Sequence, residues 1–296
     1  MALTRAAEVL LPLAGLAAAL PALRWFFKDT WRELDEDAQR EATERRAAGR
    51  TDPRPLVAFV TVAVVLTMLQ YYGGFEFYRD SVQPMLVARE GEHSWIRLGE
   101  FAELYALGWW IAMRVVGFVL VPLGVNRVLA RTGLAAGFGL GARGFVRHAW
   151  IGGSFLAVVL PLLWLASRDP DFVRVYPNYQ SAGRSGLDLL LWETMYVGQF
   201  LALEMFLRGW LLGMLRGLGS GAIFALTVPY CMMHFAGKPY AETIGSIAAG
   251  IALGSLAAKT KSIWQGFLIH GVVALAMDLL ALAHRGQLPR VFWAAV

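Results

Sequence analysis

Long stretches without a charge dictate what this chain can become. About eight runs, roughly 6–27, 55–72, 98–124, 148–167, 186–215, 220–236, 241–258 and 262–284, are built almost wholly from Ala, Leu, Val, Ile, Phe, Trp and Gly. As a helix, an apolar run of about 18 or more residues crosses the hydrocarbon core of a bilayer. Within hydrocarbon every backbone N–H and C=O must be bonded inside the protein, which leaves helices and closed barrels. Barrel strands are short and alternate in polarity, and these runs do neither. The expected fold is therefore all-α: a polytopic helical bundle of about eight transmembrane helices in the cell membrane. Hydrophobic residues make up 57% of the chain and charged ones 17%. An ordinary soluble domain has about a quarter of its residues charged, so a soluble enzyme core is excluded.

The formal net charge of +5 does not point to nucleic acid. The arginines sit between the apolar runs, where membrane topology signals belong, and no basic stripe with interleaved aromatics is present. Arg24, Lys28, Arg32, Arg40, Arg45, Arg46, Arg50 and Arg54 crowd the first loop. Arg127, Arg131, Arg143 and Arg147 fill the third. Arg216, Lys259 and Lys261 mark the fifth and seventh. These alternate loops are expected to face the cytoplasm, with both termini outside. The first run is expected to be a retained helix, since no clear small-residue cleavage site follows it. Within 28–54, Trp31, Leu34, Ala38 and Ala42 recur at helical spacing. They suggest an amphipathic helix on the cytoplasmic membrane surface, with a solvated connector as the alternative.

Several patterns imply packing only. Gly250 and Gly254 form GxxxG, which lets helix backbones approach closely. Gly139 to Gly144 spells GxGxxG, but neither a strand nor a βαβ unit surrounds it, and a dinucleotide site is rejected. Cys231 is the single cysteine, so no intramolecular disulfide can form. Gly237-Lys238-Pro239 is expected to close a tight hairpin between the sixth and seventh runs. No internal repeat of the transporter kind stands out.

Chemistry is carried by the few ionisable residues inside the runs, because each costs several kcal/mol in hydrocarbon unless paired or hydrated. They are Arg114, Glu193, Glu204, Arg208, His234, His270 and Asp278. Glu204 and Arg208 are one turn apart with the acid on the N-terminal side, the favourable order for an ion pair. His234 and His270 are each the lone histidine of an apolar run. Imidazole exchanges protons near neutral pH, and a carboxylate can orient it or activate water. A Glu-Arg pair that only fixes packing, and histidines that only fill a core, are the plainer readings.

At these residues the chain resembles the CPBP family, the intramembrane CAAX-protease and bacteriocin-processing proteins. Glu204, Arg208 and Gly209 match the second Glu, the Arg and the Gly of its first motif. Tyr230-Cys231-Met232-Met233-His234 fits an aromatic followed by three residues and His. His270 fits the start of the third motif. The resemblance covers about 185–284, and 1–184 is read as N-terminal membrane helices joined to that core in one integrated membrane domain. Two positions depart from the family: its first Glu is Leu203 here, and its Asn is Ala274. Glu193 and Asp278 are candidate substitutes.

The resemblance implies a membrane-embedded hydrolase, an intramembrane endopeptidase that cuts a membrane-anchored peptide or protein, such as a C-terminal anchor or sorting segment. Glu204 and His234 would activate water, His270 would stabilise the oxyanion and Arg208 would hold the carboxylate. Tyr230 is a supporting candidate. Glu204, His234 and His270 also make a ligand set for a divalent metal such as zinc. The alternatives are a catalytically inactive family member acting as a scaffold or bacteriocin-immunity protein, and a transporter with a polar path through Arg114, Glu193 and Glu204. HExxH and GxGD are both missing, and Gly152-Gly153-Ser154 lacks the closing Gly of a serine nucleophile motif.

Overall fold

A computed structural model describes residues 2–93, 97–235 and 238–293, with side chains from residue 8 onward. Every regular element among these residues is helical. Eight long helices carry the fold: α1 (Ala2–Ala47), α2 (Arg54–Tyr72), α3 (Leu98–Val115), α4 (Ala149–Ala166), α5 (Gly186–Glu204), α6 (Gly221–Met232), α7 (Tyr240–Thr260) and α8 (Trp264–His284). Helix α3 continues through a π-helical turn, Val116–Leu120, into Val121–Leu129, and α5 continues through a longer one, Met205–Leu211. Each apolar run of the sequence falls on one of these helices. Gly237, placed in the expected hairpin, lies outside the described residues.

Among the described residues, six segments are long and apolar enough to cross a membrane: Glu8–Ala47, Arg54–Tyr72, Leu98–Thr132, Ala149–Ala166, Tyr240–Thr260 and Trp264–His284. The chain is thus a multi-pass α-helical membrane protein. The other two expected spans differ for separate reasons. Helix α6 has 12 residues, about 18 Å of rise against a hydrocarbon core of about 30 Å. Helix α5 carries Asp188, Glu193 and Glu204 within its 19 residues.

The chain divides into two compact units. The first comprises Met1–Val62, Gly124–Arg147 and Glu204–Gly266; the second comprises Ala63–Leu123, His148–Leu203 and Phe267–Val296. The segment 185–284 contributes to both.

In the first unit α7 packs on α6 through its small residues. A Cβ on Gly250 would come within 2.8 Å of Thr227, and one on Gly254 within 3.1 Å of Ile223. This is the close approach that GxxxG permits. The charged stretch after Lys28 is helical as far as Ala47, continuous with the rest of α1. Its Trp31, Leu34, Ala38 and Ala42 face is half-buried against protein. The Trp31 indole donates to Ser255 of α7 at 2.8 Å and meets the Phe224 ring of α6 edge-on. Apolar residues at helical spacing need a dry partner, and here neighbouring helices supply it. Beyond them Arg54, 1% exposed, bonds Asp52 at 2.6 Å and Glu41 at 2.7 Å, while Glu41 also pairs with Arg45 and Arg216.

The second unit has an aromatic core. Leu107 and Ile111 of α3, Trp192 and Tyr196 of α5, and Ala274 and Leu282 of α8 bury one another with Tyr179. Trp192 and Tyr196 stack at 4.7 Å between centroids.

Candidate functional site

Glu204 is the last α-helical residue of α5, and Arg208 lies in the π-helical turn that follows. Arg208 Nη1 donates to Glu204 Oε1 at 3.0 Å, and both side chains are fully buried. The expected ion pair is therefore formed inside the first unit. A π-helical turn interrupts the regular ladder and occurs often at functional positions.

The turn is backed by the loop between α3 and α4. A Cβ on Gly209 would overlap the Phe138 carbonyl, so only glycine lets the loop pass here. Gly139 has φ +66°, the left-handed region that favours glycine, and its carbonyl accepts from Ile263 N at 2.9 Å. Asn126 Nδ2 donates to the Ala136 carbonyl at 2.7 Å and Asn126 Oδ1 accepts from the Trp210 indole at 2.9 Å. The glycine-rich sequence rejected as a dinucleotide motif thus forms the backing of the Arg208 turn.

Tyr230 and His234 stand at the end of α6. The Arg208 guanidinium lies 4.3 Å from the centroid of the buried Tyr230 ring, a cation–π contact. His234 sits in the turn after the helix, its ring edge-on to Tyr230 at 4.9 Å. Thr243 Oγ1 donates to the His234 carbonyl at 2.9 Å and ties this turn to α7. His234 Nδ1 is 2.9 Å from the Tyr230 carbonyl. A carbonyl can only accept, so Nδ1 is the donor in this contact. Glu204, Arg208, Tyr230 and His234 form one chain of contacts.

Gly266, in the first turn of α8, completes the wall beside Glu204. A Cβ there would overlap the Glu204 carboxylate. Sequence reasoning missed this residue. Its only signal was a position one turn before His270.

The remaining candidates lie in the second unit. His270 stacks on Phe200 at 5.1 Å and is half-buried. Asp278 is fully buried and accepts from the Trp192 indole at 2.7 Å. Glu193 is buried beside Asp278. Ala274, where the family has Asn, is 3% exposed within the aromatic core. An amide there would need partners that this cluster of Leu, Ile and aromatic rings is poor in supplying. The polar group stands one turn later, at Asp278. Arg114 lies 3.4 Å from the Trp110 ring centroid and donates to the Trp110 carbonyl at 3.3 Å. No group of three or more His, Cys, Asp or Glu among the described residues is gathered as a metal site requires. The expected zinc ligands Glu204, His234 and His270 are therefore not gathered as a set.

The protein is thus a multi-pass helical membrane protein in which a buried Glu-Arg pair, an aromatic and a histidine stand in one contact chain. Residues 185–276 match the family described as type II CAAX prenyl endopeptidase Rce1-like, of the CAAX-protease-like (CPBP) group. No curated protein and no solved structure matches the chain.

Proposed function

We propose that the protein is an intramembrane endopeptidase of the cell membrane that cuts a membrane-anchored peptide or protein at a C-terminal anchor or sorting segment. The chain of contacts from Glu204 through Arg208 and Tyr230 to His234 carries this reading. Arg208 holds the Glu204 carboxyl in place through its 3.0 Å hydrogen bond. Glu204, working with His234, takes one proton from water as the water oxygen attacks the peptide carbonyl. The proton then passes to the leaving nitrogen as the C–N bond breaks. His270 is assigned to the oxyanion by its match to the third family motif, a role in which a donor in a dry site is worth most.

A second reading, an inactive family member acting as a scaffold or immunity protein, is supported by Leu203 and by Ala274, where an apolar core replaces the family's Asn. Glu204→Gln and His234→Ala separate the two. In cells carrying either variant, surface or membrane proteins whose C-terminal segments are removed in the wild type are expected to accumulate uncut. Unchanged processing in both variants rejects the peptidase.

A further inference from the structure

The second unit buries two carboxyl groups against each other. Glu193, on α5, is 8% exposed and Asp278, on α8, is 0% exposed. The two side chains are within mutual hydrogen-bonding reach. Carboxylates only accept. Asp278 Oδ2 accepts from the Trp192 indole at 2.7 Å, but neither Glu193 oxygen accepts from any described donor. Two charged groups on the helices of this unit are engaged elsewhere. On α3, Arg114 lies over Trp110. On α5, Asp188 is paired with Arg184 at 2.6 Å. On the same two helices, Trp192, Tyr196, Ala274 and Leu282 belong to the aromatic core.

Two ionised carboxylates in such a place would repel each other and also lose their hydration. Like charges this close cannot both ionise without something between them. A divalent cation needs six or more oxygen ligands, or several retained waters, and among the described residues no third His, Cys, Asp or Glu is gathered here. One proton serves instead: it turns one acid into a donor and the pair into a hydrogen-bonded unit with a single negative charge, which the Trp192 N–H helps to hold.

We propose that Glu193 and Asp278 form a proton-binding site within the membrane helices, one proton shared between the two carboxyls at neutral pH. This site stands on residues of the second unit and does not depend on the peptidase reading. Its place on two helices gives the second unit an exchangeable proton of its own.

Infrared spectroscopy of the purified protein in lipid nanodiscs tests this. The wild type is expected to show, at neutral pH, the carbonyl stretch of a protonated carboxylic acid, moving down after long equilibration in D2O. Glu193→Gln and Asp278→Asn are each expected to abolish it. Both variants carry an amide N–H that can replace the shared proton as donor, so both are expected to fold, with wild-type circular dichroism as the check. A wild type without that band, or a band that persists in both folded variants, overturns the proposal. A carboxylate stretch that moves on adding Mg2+ or Ca2+, with no acid band, overturns it in favour of a cation.

Discussion

Charge inside a helix bundle survives only in company, and Glu204 has chosen its company closely. Arg208 supplies a hydrogen bond at 3.0 Å with both groups fully buried. Removing one partner of a buried pair leaves the other charge uncompensated, at a cost of about 3–5 kcal/mol. Arg208→Ala is therefore expected to lower the thermal unfolding midpoint in detergent sharply, and Glu204→Gln with Arg208 intact to lower it less, because the amide oxygen still accepts. Gly266 offers a cleaner separation of position from stability. Its α8 backbone touches the Glu204 carboxylate, and Gly266→Ala must push that side chain aside. Under the peptidase reading this variant is expected to lose at least tenfold in cleavage rate while the midpoint moves by a few degrees. A midpoint loss as large as that of Arg208→Ala would mean that Gly266 serves packing alone. Glu204, Arg208 and His234 were legible in the sequence because ionisable groups stand out against apolar neighbours. Gly266 was not, because a glycine takes its meaning from the atom resting on it, and Glu204 is more than sixty positions away.

Elements were legible to the extent that hydrophobic length determines them. All eight runs became helices, since a long apolar segment in hydrocarbon has no other way to satisfy its backbone. What α1 does beyond Lys28 was not legible. The spacing of Trp31, Leu34, Ala38 and Ala42 calls for an apolar partner but does not distinguish a bilayer surface from α6 and α7. One polar residue of that stretch does more than solvate. The Asp35 carboxylate accepts from Ser220 N at 2.7 Å and from Ser220 Oγ at 3.2 Å, at the N-cap of α6. Gly219 just before it turns at φ +59° directly against Asp35. A carboxylate at a helix start satisfies an N–H that the helix itself leaves unbonded and favours the positive end of its dipole. Asp35→Ala is expected to cost about 1 kcal/mol, as cap removals typically do, and Asp35→Asn less. Thermal melts of the two variants check the order. Equal losses would mean that the contact does not cap α6.

At the scale of the molecule, the positive charge that suggested topology is partly an internal structure. Arg54, Arg45 and Arg216 gather around Glu41 and Asp52, and this cluster joins the end of α1, the start of α2 and the turn before α6 within the first unit. Counting arginines by loop could not show this, because ion pairing depends on which loops meet. The cluster makes stability depend on acid in a definite direction. Burial pushes the Asp52 carboxyl up, but the Arg54 side-chain and backbone hydrogen bonds, with the charges of Arg54 and Arg45, outweigh it and hold the group below the usual Asp range. A carboxyl whose pKa is lower in the folded state stabilises that state in full above its unfolded pKa, and the contribution drains away as pH falls through the folded one. Asp52→Asn is thus expected to be less stable than the wild type at neutral pH, and the gap is expected to close as the solution is acidified below the ordinary Asp range. Glu36, exposed and 3.8 Å from an equally exposed Arg32, is the control, since surface pairs contribute little. Glu36→Gln should track the wild type throughout. A gap for Asp52→Asn that stays constant with pH would show that Asp52 acts through its backbone contact with Arg54, with its charge contributing nothing.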